Sequence, residues 1–180
     1  MNVIALVGMP GSGKSEVARV FESGGYYKVR FGDITDEEVK KRGLKLSEEN
    51  ERTAREELRR QHGMAAYAIL NLPRIESALK RSNVVIDGLY SWEEYKFLKD
   101  KLGRGLKLVA VWSPPALRHA RLSSRTVRPL TAGEASARDC AEIENVNKGG
   151  PIAMADFTIN NSTSLDSLLE QANNIIKVLK

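Results

Sequence analysis

Apolar positions along the chain follow two alternating patterns. Short runs rich in apolar and β-branched residues occur at Val3-Ile4-Ala5-Leu6-Val7, Tyr26–Phe31, Asn83-Val84-Val85-Ile86, Leu106–Trp112 and Phe157-Thr158-Ile159. Runs of this length bounded by turn residues read as buried strands. Between them the apolar residues stand three and four apart, which gathers them on one helix face. Glu16-Val17-Ala18-Arg19-Val20-Phe21 has that spacing, and Leu165, Leu168, Leu169, Ala172, Ile175, Ile176 and Leu179 predict a terminal helix over Leu165–Leu179. Strands alternating with helices imply an α/β domain with a parallel sheet covered on both faces, its ligands at the carboxyl ends of the strands.

Polar punctuation refines the helices. Thr35-x-x-Glu38, Ser91-x-x-Glu94 and Thr131-x-x-Glu134 have the form of capping boxes, and Ser47 opens a helix after the break at Gly43. Pro114-Pro115 begins a helix through Arg118 and Arg121, and Pro73 predicts a kink or break in the helix over 65–80. From Thr35 to Arg60 the chain is strongly charged, with Glu51/Arg55 and Glu56/Arg60 four apart in the stabilising order for an exposed face. These helices are expected to form an outlying lobe.

Composition narrows the class. The chain has 180 residues, 42% hydrophobic and 28% charged, enough for one globular α/β domain. Its net charge of +5 suits anionic ligands, but the basic residues form no tail or basic–aromatic block, so no nucleic-acid partner is expected. The single Cys140 excludes an internal disulfide, fits a reducing compartment and is read as buried or idle. With no secretory segment and no run of membrane-spanning length, the expected location is cytoplasmic, away from any membrane.

The chemistry starts at Gly8-Met9-Pro10-Gly11-Ser12-Gly13-Lys14-Ser15, a G-x-x-x-x-G-K-S loop between a strand and a helix. Its glycines let backbone N–H groups turn in around phosphates at a helix N-terminus. Lys14 is placed for the β- and γ-phosphates of ATP and the Ser15 hydroxyl for Mg²⁺. Asp87 ends an apolar strand, a place suited to holding Mg²⁺ or to capping a helix. Arg118, Arg121, Arg125 and Arg128 fall within one short stretch, fitting a phosphate-clamping lid or a solvated basic face. Asp33, at the end of the second strand, suits a general base for a hydroxyl acceptor, a positioning group for a phosphate acceptor, or a helix N-cap. No Asn-Lys-x-Asp guanine-reading segment is present; Asn145-Val146-Asn147-Lys148 lacks that order.

These residues together resemble nucleoside monophosphate kinase-like P-loop kinases, nearest to archaeal-type adenylate-kinase-related and dephospho-CoA-kinase-like proteins. The likeness runs nearly end to end. It rests on the loop at residues 8–16, Gly32-Asp33 with Glu37–Gly43, Ile86-Asp87-Gly88, Ser113-Pro114-Pro115 and Ala155-Asp156-Phe157-Thr158-Ile159-Asn160-Asn161. The resemblance implies one three-layer domain over 1–180, with a five-stranded parallel sheet, an acceptor lobe at about 33–80 and a lid at about 122–138. It implies Mg²⁺-ATP-dependent phosphoryl transfer to a small nucleotide-like acceptor. Dephospho-CoA leads, a nucleoside monophosphate comes second, and a P-loop ATPase or switch is the further alternative.

The resemblance also implies residue roles. Arg121 matches the lid-hinge arginine at adenine and the ATP phosphates, Arg125 a lid arginine on the transferring phosphate, and Arg138 a further one on the returning helix. Asn160 and Asn161 match a loop near the base. Arg118 and Arg128 have no counterpart. Two acceptor-lobe arginines are missing, because Thr35-Asp36 and Leu89-Tyr90-Ser91 stand in their places. Neither Thr nor Tyr reproduces bidentate phosphate binding. Asp33, Gly88 and Tyr90 therefore face the acceptor in this reading, with Arg30 or Arg74 as candidate substitutes.

Overall fold

The computed structural model describes residues 1–126 and 129–179. In chain order the elements are β1 (Val3–Val7), α1 (Lys14–Ser23), β2 (Tyr27–Arg30), α2 (Asp33–Lys41), α3 (Glu48–His62), α4 (Ala66–Leu79), β3 (Val84–Asp87) and α5 (Trp92–Leu102). A 3₁₀ turn (Gly103–Gly105) leads to β4 (Leu106–Trp112), α6 (Pro115–Ser123), α7 (Ala132–Glu144), α8 (Gly149–Ala153), β5 (Phe157–Asn160) and α9 (Leu165–Leu179). The five strands form one parallel sheet in the order β2-β3-β1-β4-β5.

Strand periodicity divides the core into two layers. Val3, Ala5 and Val7 face one side with Val84, Ile86, Leu108 and Ala110, against Tyr67, Ala68 and Ile75 of α4 and Leu98 of α5. Ile4 and Leu6 face the other with Val85, Val109 and Val111, against Val17 and Phe21 of α1 and Leu168, Ala172 and Ile176 of α9. Each fully buried Leu, Ile or Phe contributes about 1.5–3 kcal/mol. Helices on both faces make the three-layer α/β arrangement that the strand–helix alternation predicts.

The capping boxes at Ser91/Glu94 and Thr131/Glu134 form, and Ser47 accepts from Asn50 N. The box at Thr35 does not. The chain leaves β2 already helical at Gly32 (φ −62°, ψ −18°), so α2 starts at Asp33, and Thr35 points inward with its hydroxyl 2.6 Å from that of Tyr67. Asp33 is therefore the first helical residue and not an N-cap. Nor does α4 break at Pro73; both Pro73 and Ile69, whose carbonyl loses its partner, lie on the exposed side, where water can satisfy that oxygen. The expected Glu51/Arg55 pair forms, at 3.8 Å, with Glu51 buried, whereas Arg60 pairs with Glu57 at 3.3 Å in place of Glu56. Cys140 lies exposed on α7. Among the described residues no helix is long and apolar enough to cross a membrane.

Arg118 is not a lid residue. Its side chain is 5% exposed and grips both carboxylate oxygens of Asp139 on α7 at 2.7 Å. It also donates to the carbonyls of Ser113, at 3.1 Å, and Pro10, at 3.2 Å. His119 Nε2 adds a 2.9 Å contact to the same carboxylate. Asp139→Asn keeps the shape but strips the counter-charge from this buried guanidinium. It should lower the unfolding free energy by about 3 kcal/mol or more, measured by urea denaturation followed by circular dichroism.

Candidate active site

The phosphate-binding loop closes because its three glycines, Gly8, Gly11 and Gly13, sit where no side chain fits. A Cβ on Gly8 (φ 147°) would stand 2.4 Å from the Val111 carbonyl oxygen, and one on Gly13 (φ 102°) 2.4 Å from Asn161 Nδ2. The loop thus presents bare backbone between β1 and the N-terminus of α1. Lys14 Nζ donates to the carbonyls of Gly8 at 2.8 Å and Met9 at 3.0 Å, which holds the ammonium at the loop floor. Burial, and then the nearby Lys148 charge, pull the Lys14 pKa down to about 7 against the opposing charges of Glu142 and Asp87. A phosphate beside this amine favours its protonated form.

Gly11, Gly13, Lys14 and Ser15 line a cleft of about 330 Å³ whose opposite wall is Arg121, Arg125 and Asn161. The P-loop, both expected lid arginines and one of the two asparagines therefore meet in one place. Arg121 is held by Ser113 Oγ and the Asn161 carbonyl, each at 3.0 Å. Asn161 in turn donates to the Ser12 carbonyl at 2.8 Å. Arg125 stands exposed at the rim; partial desolvation, and then the Arg138 charge, lower its pKa. Asn160 does not line the cleft, because its backbone is paired with the Gln171 side chain on α9. Arg128 lies outside the described residues.

Asp87 pairs in register with Leu6 of β1 and Arg30 of β2, so it ends the sheet beside the phosphate loop. Its carboxylate is close enough to act on Lys14. Among the described residues no group of three acidic, His or Cys side chains is arranged to hold a metal ion. A hard cation that keeps waters and phosphate oxygens as ligands needs no such cluster, and the Ser15 hydroxyl and Asp87 carboxylate are the right donor types for it.

On the expected acceptor side both named arginines are already engaged. Arg30 contacts Asp33 at 2.6 Å and Asp36 at 2.8 Å, and Arg74 contacts Glu37 at 2.6 Å. Tyr90 fills the gap between the two strand ends: its hydroxyl lies 2.8 Å from where a Gly88 Cβ would stand and 3.4 Å from that of Gly32. Burial, then the Asp87 charge, raise the Tyr90 pKa, so the phenol stays protonated.

Two further residues come to the site from the far end of the chain. Lys148 is buried against Glu142 and acts on Lys14 together with it. Desolvation works against Glu142 ionising, but the Lys148 charge and its hydrogen bond hold the Glu142 pKa below the usual carboxylate range. Nothing in a Val-Asn-Lys-Gly-Gly stretch marks a site residue. The only sequence signal is Arg138 four residues before Glu142, and these two lie 3.8 Å apart.

A family model described as an AAA domain matches residues 4–157. A UPF0200 protein of Thermococcus kodakarensis is 35% identical over 178 residues, covering 97% of this chain and 96% of the relative. A UPF0200 protein of Halobacterium salinarum is 36% identical over 178 residues, covering 98% and 93%. The chain belongs to the UPF0200 family.

Solved structures place this UPF0200 chain in the P-loop kinase fold. TT1252 from Thermus thermophilus aligns with a TM-score of 0.66 at 22% identity, covering 99% of this chain and 97% of that one. A gluconokinase from Sinorhizobium meliloti gives 0.62 at 18%, covering 99% and 93%. Dephospho-CoA kinase from Campylobacter jejuni gives 0.59 at 15%, covering 99% and 97%. At these identities the likeness is one of fold.

Glu94, which caps α5 behind Tyr90, supplies a pH test of this wall. Its Oε2 accepts from Tyr90 N at 2.7 Å and Ser91 N at 3.3 Å, yet complete burial pushes its pKa up to about 7. In the unfolded chain the group titrates near about 4.3. Below that value both states are protonated and pH has no effect through Glu94. As pH rises from there to about 7, the unfolded state ionises first, so stability falls, by about 1.4 kcal/mol per unit at most; above about 7 the loss levels off. Glu94→Gln should flatten that fall, checked as the wild-type-minus-variant difference in urea denaturation across this window.

Proposed function

We propose that this protein transfers the γ-phosphoryl group of Mg²⁺-ATP to a hydroxyl of a small, nucleotide-like acceptor, in the manner of a dephospho-CoA kinase. The observation that carries the reading is a division of charge. Lys14, Arg121 and Arg125 converge on the nucleotide cleft, whereas Arg30 and Arg74 on the acceptor side are neutralised by Asp33, Asp36 and Glu37. A phosphate acceptor needs arginine forks of its own. A hydroxyl acceptor instead needs a carboxylate to take its proton.

In this reading the loop N–H groups and Lys14 bind the triphosphate, and Arg121 and Arg125 meet negative charge as it develops. Ser15 and Asp87 would hold Mg²⁺, which would offset the charge on the phosphates when bound. Asp33 accepts the proton of the attacking hydroxyl, and Arg30, 2.6 Å away, fixes the carboxylate's direction. Gly88 and Tyr90 shape the wall against which the acceptor lies. The acceptor lobe at 33–80 and the lid at 122–138 are parts of this proposal, as is a cytoplasmic setting without nucleic-acid or membrane partners.

A screen of ATP consumption over dephospho-CoA, nucleoside monophosphates and small hydroxylated metabolites, with product masses, tests the reading. Turnover with a monophosphate would replace the hydroxyl acceptor, and turnover with no acceptor at all would mark an ATPase or switch. Lys14→Ala should cost on the order of 10²–10³ in rate while leaving the fold intact by circular dichroism. Near-wild-type turnover would remove Lys14 from the chemistry.

Asp33→Asn keeps the side chain's size but removes its basicity. Single-turnover rates with the best acceptor from the screen should fall on the order of 10²-fold or more, with little change in ATP affinity. An unchanged rate would exclude the base and favour a phosphate acceptor.

A further inference from the structure

Against the Tyr90 ring lies a buried ion pair that the proposed reaction does not use. Lys148 is 2% exposed, its ammonium contacts Glu142 Oε2, and it lies 5.2 Å from the centroid of the Tyr90 ring. The backbone delivers it there. Lys148 N donates back to the Glu142 carbonyl at 3.1 Å, and Asn147 between the two helices takes the left-handed conformation at φ 54°. Asn is among the few side chains that adopt this conformation readily. Just beyond, Gly150 packs so closely on Trp92 that a Cβ would stand 2.6 Å from its Cε3, which fixes α8 against α5.

Stability gives no reason for a charge at this depth. Apolar residues of similar volume in place of a buried ion pair are commonly neutral or stabilising. The pair lies one ring away from the strand end that carries Asp87. The Tyr90 ring under Lys148 lies against Gly88, which comes directly after Asp87. Lys14 on the phosphate loop feels the charges of Lys148, Glu142, Asp87 and Arg138. An ammonium has three N–H donors, so one can stay on Glu142 while others face phosphoryl oxygens.

We propose that Lys148 is a second catalytic cation of the transfer site, contacting the transferring phosphoryl group from the Tyr90 side while Glu142 holds it in place. This rests on the phosphoryl-transfer reading of the site. Lys148 keeps its proton throughout: the phosphorus–oxygen bond to ADP breaks, the bond to the acceptor oxygen forms, and the ammonium only neutralises charge on the oxygens in between.

The test is binding of ADP with Mg²⁺, with and without aluminium fluoride, which mimics the phosphoryl group in flight. Aluminium fluoride should tighten ADP binding to the wild-type protein. Lys148→Met should keep the affinity for ADP alone within about threefold and lose at least tenfold of that gain, in line with removal of a transition-state donor. The double variant Lys148→Met/Glu142→Gln leaves no buried charge unpaired, so it reads the effect even if the single variant folds poorly. It should stay equally defective while melting near the wild-type temperature. A full gain in Lys148→Met, or its recovery in the double variant, would overturn the proposal and leave Lys148 as a partner for Glu142 only. No gain in the wild-type protein would overturn the phosphoryl-transfer reading, and this proposal with it.

Discussion

The guanidinium of Arg118 is the joint on which the site is built. It donates to Pro10 in the phosphate loop, to Ser113 at the end of β4 and to Asp139 on the returning helix α7. A planar fork with several fixed donors is suited to such a junction, and an ammonium is not. Close packing results from it: a Cβ on Gly11 would lie 2.7 Å from the Arg118 carbonyl oxygen, so α6 rests directly on the loop. Arg121, one turn further on, is thereby carried to the cleft. Ser113 extends the junction, giving its carbonyl to Arg118 and its hydroxyl oxygen to Arg121, while that hydroxyl donates to Asn161 at 2.7 Å.

From this joint the two halves of the site take different electrostatic characters. On the nucleotide side the cations line a cleft open to solvent, where a triphosphate would replace water. On the other side the arginines are held by carboxylates of α2, and what remains facing inward is a phenol, two glycines and backbone. Positive potential therefore rises toward the phosphate loop. Under the proposed function, an acceptor entering from the α2 side would meet a nearly balanced surface, which disfavours a second doubly charged phosphate and tolerates a neutral hydroxyl.

Much of this was legible in the sequence. The strand runs are β-branched and short, so β4 over Leu106–Trp112 and α9 over Leu165–Leu179 match their predicted bounds. The P-loop motif fixes both its own geometry and its place between strand and helix. What resisted reading depends on tertiary contact. Thr35 has a capping signature, but Gly32 is already helical, and the hydroxyl finds Tyr67 instead. Arg118 and Arg121 look alike on one helix face, yet only the position of Asp139, 21 residues on, decides which is buried. Lys148 carries no local pattern at all, because its role is set by Asn147 turning the chain and by Tyr90 waiting opposite.

Charges buried at the back of the site have a common consequence. In a poorly solvated environment each cation acts more strongly on its neighbours than it would at the surface, and it is already oriented before a ligand arrives. Tyr90 is where these effects meet. Its N–H is bound by Glu94, its ring is overlaid by Lys148, its edge packs on Tyr67 at 5.5 Å, and its hydroxyl sits against the strand ends that carry Asp33 and Asp87. A shift of this one ring would move the acceptor wall and the Lys148 ammonium together. The capping box at the start of α5 therefore does more than begin a helix: through its bond to Tyr90 N–H it also anchors the ring that packs between Gly88 and Lys148.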